Sequence, residues 1–212
     1  MHPENFSQSS SPSPERTDSV PPLLGVVLTN FNHREYLEQA LRSILDQSFS
    51  DFCLGIIDDA STDGSWGIIS RVLRDYGNSK IFFLEQNTSR QGVCRNRNRV
   101  FAQCPAKYFL YLDADDFFSP GFFEKLAAEL KHRKYPDLLQ FLEIKLDCQT
   151  GKTKVDGKNI QSVDQLMIPY GTGFNYVYSS NGFRLVDGFD EKNFSQAWGD
   201  WDFVFRLSSQ VG

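Results

Sequence analysis

The sequence predicts an α/β domain with a mostly parallel central sheet, helices on both faces and a loop-rich second half. From Leu23 onward, short apolar runs of strand length alternate with amphipathic runs of helix length, the rhythm of parallel strands joined by crossover helices. The 212 residues are 40% hydrophobic and 23% charged, a globular balance with length enough for one buried core. Polar clusters follow three of the strand-like runs, the position at which open α/β sheets bind ligands.

Residues 1–22 are rich in Ser and Pro, including Ser9-Ser10-Ser11-Pro12-Ser13-Pro14, and predict a disordered tail ahead of a folded domain at 23–212. Leu24–Thr29 reads as a buried strand. Glu35–Gln47 carries Tyr36, Leu37, Ala40, Leu41, Ile44 and Leu45 at helical spacing. Phe52–Ile57 is a second strand, followed by the turn Asp58-Asp59-Ala60-Ser61-Thr62-Asp63-Gly64. Ser65–Tyr76 is a helix, broken at Gly77-Asn78. Ile81–Leu84, Val93–Cys104, Tyr108–Leu112 and Pro120–Arg133 continue as strand, helix, strand and helix, and Leu138–Leu142 is a fifth strand. Gln149-Thr150-Gly151-Lys152 marks a hairpin turn. Residues 154–195 read as loops with short strands, and a last helix runs from about Trp198 to Leu207. The stop at Gly212, soon after that helix, predicts a C-terminal portion beyond it.

Composition excludes several classes. The net charge is −5, from 22 basic and 27 acidic residues, with no basic block to grip nucleic acid. No apolar run approaches the roughly 20 residues of a membrane span. Cys53, Cys94, Cys104 and Cys148 are scattered without CxxC spacing. The start Met-His-Pro-Glu is no secretory signal, so the sequons at Asn5, Asn87 and Asn193 read as chance and the thiols as those of a reducing cytoplasm. Neither Gly-x-Gly-x-x-Gly nor a P-loop is present.

The candidate chemistry lies in the polar clusters. Thr29-Asn30-Phe31-Asn32, Asp58-Asp59-Ala60-Ser61 and Asp113-Ala114-Asp115-Asp116 each follow a strand and should meet in one crevice. Three carboxylates within four residues repel one another unless a hard cation such as Mg2+ or Mn2+ lies between them, sharing its oxygen ligands with substrate phosphates. Without a cation the same cluster is a solvated acidic loop. Arg95, Arg97 and Arg99 open a helix whose N-terminus favours anions, or form a solvated basic stripe. Trp198-Gly199-Asp200-Trp201-Asp202 opens the last helix. One Asp there serves as an N-cap, or Asp200 is a general base made more basic by desolvating aromatic walls. His33 and His132 read as surface residues, and Tyr170, Tyr176, Tyr178 and Trp198 either stack on a sugar or pack in the interior.

In this order, these clusters resemble a family 2 glycosyltransferase of the GT-A, Rossmann-like nucleotide-sugar-binding fold, over nearly all of residues 23–208. The carriers are Thr29-Asn30-Phe31-Asn32, Ser43 to Gln47, Asp58 to Gly64 with Ala60 for the usual Gly, and Asn87 to Gly92 followed by Arg97-Asn98. Asp113 to Asp116 follow, then Asp187-Gly188-Phe189-Asp190-Glu191 with Asp187 for a Gly, and Gly199-Asp200 with Gly199 for the Glu of a Glu-Asp motif. The resemblance implies a nucleotide-sugar-binding half at 23–118 and an acceptor-binding half at 119–212. Thr29, Asn30, Asn32, Asp59, Arg97, Asp113 and Ala114 would contact the nucleotide sugar, with Asp59 reading the base and Asp113 holding the ribose or assisting the metal. Asp115 would bind Mn2+ or Mg2+, Asp200 would be the catalytic base, and Trp198 and Trp201 would face the acceptor. The implied activity is inverting transfer from a nucleotide-diphosphate sugar, UDP-linked by preference, to a glycan, lipid-linked or other hydroxyl acceptor at the cytoplasmic face of a membrane. Two other classes remain beside it. One is a non-catalytic sugar-nucleotide or glycan-binding module of the same fold. The other is an Asp-x-Asp phosphatase, which would place its motif after the first strand rather than the fourth.

Overall fold

The computed structural model describes residues 20–77, 79–134, 136–141, 143–146, 150, 152–156, 176–194 and 198–211. The expected tail up to residue 19, and residues 157–175 and 195 of the 154–195 segment, Tyr170 among them, lie outside the described residues. The carbonyls of Pro22 and Leu23 accept from the backbone N–H of Lys107 and Tyr108 at 3.0 and 2.9 Å, which ties the start of the first strand to the middle of the chain.

In chain order the elements are β1 (Leu24–Asn30), α1 (Arg34–Leu45), β2 (Phe52–Asp58), α2 (Ser65–Tyr76), β3 (Ile81–Gln86), α3 (Val93–Gln103), β4 (Tyr108–Asp113), α4 (Phe122–His132) and β5 (Leu138–Gln140). Then come β6 (Glu143–Leu146), β7 (Thr153–Asp156), β8 (Tyr176–Ser179), α5 (Ser180–Leu185) and α6 (Gly199–Val211). The main sheet has strand order β3-β2-β1-β4-β8-β5. β1 to β4 pair in parallel, whereas β8 runs antiparallel to both β4 and β5. β6 and β7 form the hairpin that the Thr150-Gly151 turn predicted, as a separate two-stranded sheet.

Strand alternation divides the core into two layers. Val26, Leu28, Leu54, Ile56, Leu110 and Leu112 face the layer filled by Leu37, Leu41 and Ile44 of α1, Ile69 and Val72 of α2, and Phe123, Leu126 and Leu130 of α4. Val27, Cys53, Ile57 and Phe109 face the other layer, filled by Val100 and Phe101 of α3 and Phe203, Val204 and Leu207 of α6. Both faces of β1 and β2 are buried, which is why their sequences are continuously apolar rather than alternating. Two strand glycines set the spacing of the second layer. A Cβ at Gly25 would stand 2.7 Å from the Phe109 ring, and one at Gly55 would overlap Val100.

The sequence-predicted fifth strand is shorter than Leu138–Leu142, ending at Gln140, because only three residues find partners on β8. β8 itself takes the place beside β4 that the simple β-α-β rhythm gives to β5. Tyr176 and Tyr178 are 4% and 1% exposed, so of the two readings open to them the structure shows packing.

Two departures from the related motifs keep the backbone of the residue they replace. Ala60 and Asp187 stand where Gly is usual, and both hold the left-handed conformation, at φ 62° and 58°. That region costs a side-chain-bearing residue about 1–2 kcal/mol, and glycine's extra freedom in the unfolded chain offsets about 0.5–1 kcal/mol of the gain from replacing it. Ala60→Gly is therefore expected to stabilise the protein by up to about 1 kcal/mol, read as a higher urea midpoint. A lower midpoint would mean that packing of the Ala60 methyl outweighs backbone strain.

Candidate active site

Register brings the polar clusters together. Asn30 pairs with Asp58 and Thr29 with Asp113 across neighbouring parallel strands, so all three clusters share the carboxyl edge of the sheet. A cleft of about 280 Å³ opens there, lined by Thr29, Asn30, Phe31, His33, Asp59, Arg90, Gly92, Val93, Asn96, Asp113, Ala114 and Asp115.

The two adjacent aspartates serve different ends. Asp58, fully buried, accepts from Asn30 Nδ2 at 2.7 Å and from the Ser61 N–H at 3.1 Å, closing the β2–α2 turn onto β1. Asp63 of the same turn accepts from the N–H groups of Arg34 and Ser65, each at 2.9 Å, and so satisfies first-turn donors of both α1 and α2. Asp59 pins the loop before α3. Its carboxylate accepts from Asn87 Nδ2 at 2.7 Å, the Gln91 N–H at 2.8 Å and the Gly92 N–H at 2.9 Å. Burial alone would raise its pKa, but the donors from Gln91, Asn87, Asn96 and Gly92 together hold it below the ordinary carboxylate value.

Beside the cleft lies a buried cation. Arg97 of α3 is 3% exposed. It donates from Nη2 to Asp113 at 2.8 Å and from Nη1 to Asp200 at the start of α6. Its guanidinium carbon stands 3.6 Å from the centre of the Tyr111 ring and 5.6 Å from that of Phe189. Burial would weaken its hold on the proton, but Asp200 and Asp113 more than reverse this. Asp200 is 26% exposed. Desolvation is the largest influence on it and raises its pKa; Arg97 and the Tyr111 hydroxyl pull it back, Asp113 pushes it up, and the net shift is upward.

The structure thus gathers Thr29, Asn30, Asp59, Asp113, Ala114 and Asp115 around one cleft and attaches Asp200 to it through Arg97. The other sequence-predicted residues stand elsewhere. Asn32 ties two loops together, accepting from the Thr62 N–H at 2.8 Å and donating its own N–H to Ser61 Oγ at 2.9 Å. Trp198 is 64% exposed, at φ 66°, and its carbonyl accepts from the Asp202 N–H. Trp201 packs against the second core layer. Arg99 turns away to Glu85 and to Asn87 Oδ1.

His33, read from the sequence as a surface residue, is instead half-buried on the cleft wall, because Asn32 at φ 59° reverses the chain directly before it. Arg90 escaped sequence reasoning as a site residue, and Phe31 entered it only as part of the Thr29-Asn30-Phe31-Asn32 cluster. Their stacking at 4.0 Å is a contact between two loops, and only the position of Arg90 inside the Asn87–Gly92 stretch signalled it. Tyr111 was hidden inside an apolar strand.

The acidic residues suit a hard cation that shares substrate oxygens. Asp115 is exposed and the Asp113 side chain is 49% exposed. Among the described residues no three His, Cys, Asp or Glu side chains form a metal-holding group. A protein-only cage is therefore not built there, whereas Mg2+ and Mn2+ commonly take one or two carboxylates plus phosphate oxygens. Gly199, the other departure from the related motifs, has a steric cause: a Cβ there would overlap Cys94 Sγ. That thiol donates to the Phe194 carbonyl at 2.8 Å, and burial pushes its pKa up to about 11.

Comparison with known proteins agrees with the fold. The family model described as glycosyl transferase family 2 matches residues 25–189. The putative teichuronic acid biosynthesis glycosyltransferase TuaG of Bacillus subtilis is 32% identical over 112 residues, covering 53% of this chain and 43% of that protein. The GalNAc(5)-diNAcBac-PP-undecaprenol beta-1,3-glucosyltransferase of Campylobacter jejuni is 34% identical over 95 residues, 45% of this chain and 30% of that one. The matched part thus spans less than half the length of these curated relatives. Among solved structures, S. aureus TarS 1-349 in complex with UDP shares the fold at TM-score 0.69 and 20% identity, over 88% of this chain and 55% of that one. The mannosyltransferase PcManGT from Pyrobaculum calidifontis, in complex with GDP-Man and Mn2+, shares it at TM-score 0.67 and 14% identity, over 91% of this chain and 54% of that one.

The depressed pKa of Asp59 has a direct consequence for stability. Its contribution is present above the ordinary carboxylate pKa of about 3.9 and is lost as pH falls through the lower folded value. Asp59→Asn is expected to cost about 1–3 kcal/mol at pH 7, with the gap to the parent protein closing below about pH 4. Urea unfolding at stepped pH reads this; a gap unchanged down to pH 3 would show that the ionised carboxylate is not what pins the loop.

Proposed function

The chain belongs to glycosyl transferase family 2, and from this we propose that it is an inverting, metal-dependent transferase, moving a sugar from a nucleotide-diphosphate sugar, UDP-linked by preference, to a hydroxyl of a glycan or lipid-linked acceptor. The observation that carries the proposal is one cleft at the carboxyl edge of the sheet, lined by Thr29, Asp59, Asp113 and Asp115, with the Asp200 carboxylate joined to it through Arg97. Support for the donor class comes from two neighbours of the same fold, one holding UDP and the other GDP-Man with Mn2+. Support for an envelope-glycan acceptor comes from the names of the teichuronic acid and undecaprenol-linked relatives. No described helix is long and apolar enough to cross a membrane.

In this reading the loop pinned by Asp59 and the end of β1 hold the nucleoside, and Arg90 brings positive charge to the cleft. Asp115, with Asp113 beside it, would hold Mn2+ or Mg2+, which when bound supplies Lewis-acid charge to the diphosphate leaving group. Asp200 takes the proton of the acceptor hydroxyl. That oxygen forms its bond to the anomeric carbon as the bond from that carbon to the diphosphate oxygen breaks. One base and a single in-line displacement invert the anomeric centre. The raised pKa of Asp200 suits proton acceptance near neutral pH.

Calorimetric titration with UDP, GDP and dTDP, each with and without Mn2+, tests the donor site. Metal-dependent binding of one nucleotide is expected, UDP first, and Asp115→Asn should weaken the Mn2+-dependent part at least tenfold. Undiminished Mn2+-dependent affinity in that variant would reject Asp115 as the metal residue. Asp200→Asn is expected to bind the nucleotide like the parent while losing turnover by 10²–10⁴-fold, the usual span for a general base. Binding without turnover in the parent protein would favour the non-catalytic binding module.

A further inference from the structure

Arg97 touches both ends of the site. By family resemblance it is a donor contact, but it is absent from the walls of the cleft. Its Nη1 and Nη2 are taken by Asp200 and Asp113, and its Nε is buried without a partner. The faces of Tyr111 and Phe189 flank its guanidinium carbon, and the two carboxylates each take an N–H from a different Nη. What the arrangement does supply is charge and aim for Asp200. Asp200 meets Arg97 beside the faces of Tyr111 and Phe189, where an unpaired negative charge is costly. Arg97 is the cation that makes an ionised Asp200 tenable there.

We infer that Arg97 is a positioning residue of the catalytic base, holding Asp200 ionised and oriented towards the donor cleft, and that acceptor activation rather than donor binding depends on it. The inference rests on the transferase reading above, with Asp200 as base. Among the described residues, the groups facing Asp200 are Arg97 and Cys94 from α3, Asp113 and Tyr111 from β4, and Tyr178 from β8. Arg97 alone among them is positively charged, and Cys94, Tyr111 and Tyr178 are all held in their neutral forms by burial. Loss of the cation therefore leaves the desolvated Asp200 carboxylate without its positive partner. Arg97→Lys retains the charge on a single point donor that cannot span both carboxylates. Arg97→Met removes the charge and keeps the volume of the stem. Tyr111→Phe removes one hydroxyl from Asp200 and keeps the ring beneath Arg97.

The direct measurement is the titration of the Asp200 carboxyl by carbon-13 NMR of aspartate-labelled protein, assigned with Asp200→Asn. The Asp200 midpoint is expected to rise by about 1–3 pH units in Arg97→Met, the span typical of losing an adjacent opposite charge, and by less in Arg97→Lys and Tyr111→Phe. An unmoved midpoint in Arg97→Met overturns the inference. Should Arg97→Met fail to fold, Tyr111→Phe and Arg97→Lys carry the test, and midpoints equal to the parent in both overturn it. The second measurement is hydrolysis of UDP-sugars by water across pH. The inference expects kcat to fall at least tenfold in Arg97→Met, with its acid limb moved upward, and donor KM to change less than threefold. A raised donor KM at unchanged kcat would make Arg97 a donor contact and overturn it. If the parent protein hydrolyses no nucleotide sugar while the NMR midpoint still shifts, the transferase reading fails and the electrostatic role of Arg97 stands.

Discussion

A guanidinium buried between two carboxylates joins the parts of this protein that chain order keeps apart. Arg97 lies in α3, Asp113 at the end of β4 and Asp200 at the start of α6. A buried ion pair is a poor source of net stability, because desolvation offsets much of the Coulombic gain. Breaking one is costly all the same, since it leaves a charge unpaired. The arrangement therefore acts chiefly as a constraint: α6 docks where its first acidic side chain reaches the cation. The aromatic contacts around it, Tyr111 and Phe189 with Phe203 and Tyr178 behind them, supply the apolar packing that the ion triad does not.

The loops of the cleft obey a related rule, in which side chains of one loop satisfy the backbone of another. Asp63 caps two helices, Asp59 holds the segment before α3, and Asn32 links the β1 and β2 loops. Acidic residues that a sequence reader assigns to ligands are thereby divided. Some are spent on architecture, as Asp58 and Asp63 are. Others remain at the cleft surface, as Asp113 and Asp115 do. Asp59 belongs to both sets, since it lines the cleft and carries its wall.

Much of the fold was legible because its signals are local. The continuous apolar runs of β1 and β2, the 3–4 spacing of Leu37, Ala40, Leu41 and Ile44, and the break at Gly77 each act within a few residues. β8 was less legible: it is four residues long, and its pairing with β4 and β5 depends on partners far away in the chain. The same limit governs the site. The clusters at strand ends were visible because sheet topology dictates where strand ends meet. Arg97 was visible as a cation, but its partner Asp200 lies 103 residues away, and nothing in the spacing joins them. Tyr111 carried no signal beyond being aromatic, because a ring's role is decided by which charge stacks on it.

The close approach of Gly199 to Cys94 ties together two positions 105 apart in the chain. A Cβ at position 199 would overlap the Cys94 thiol, so a side chain enters there only if the residue at 94 gives way. Room at the first turn of α6, where Asp200 begins, is thus shared with a residue on α3, and a substitution at either position is felt at the other.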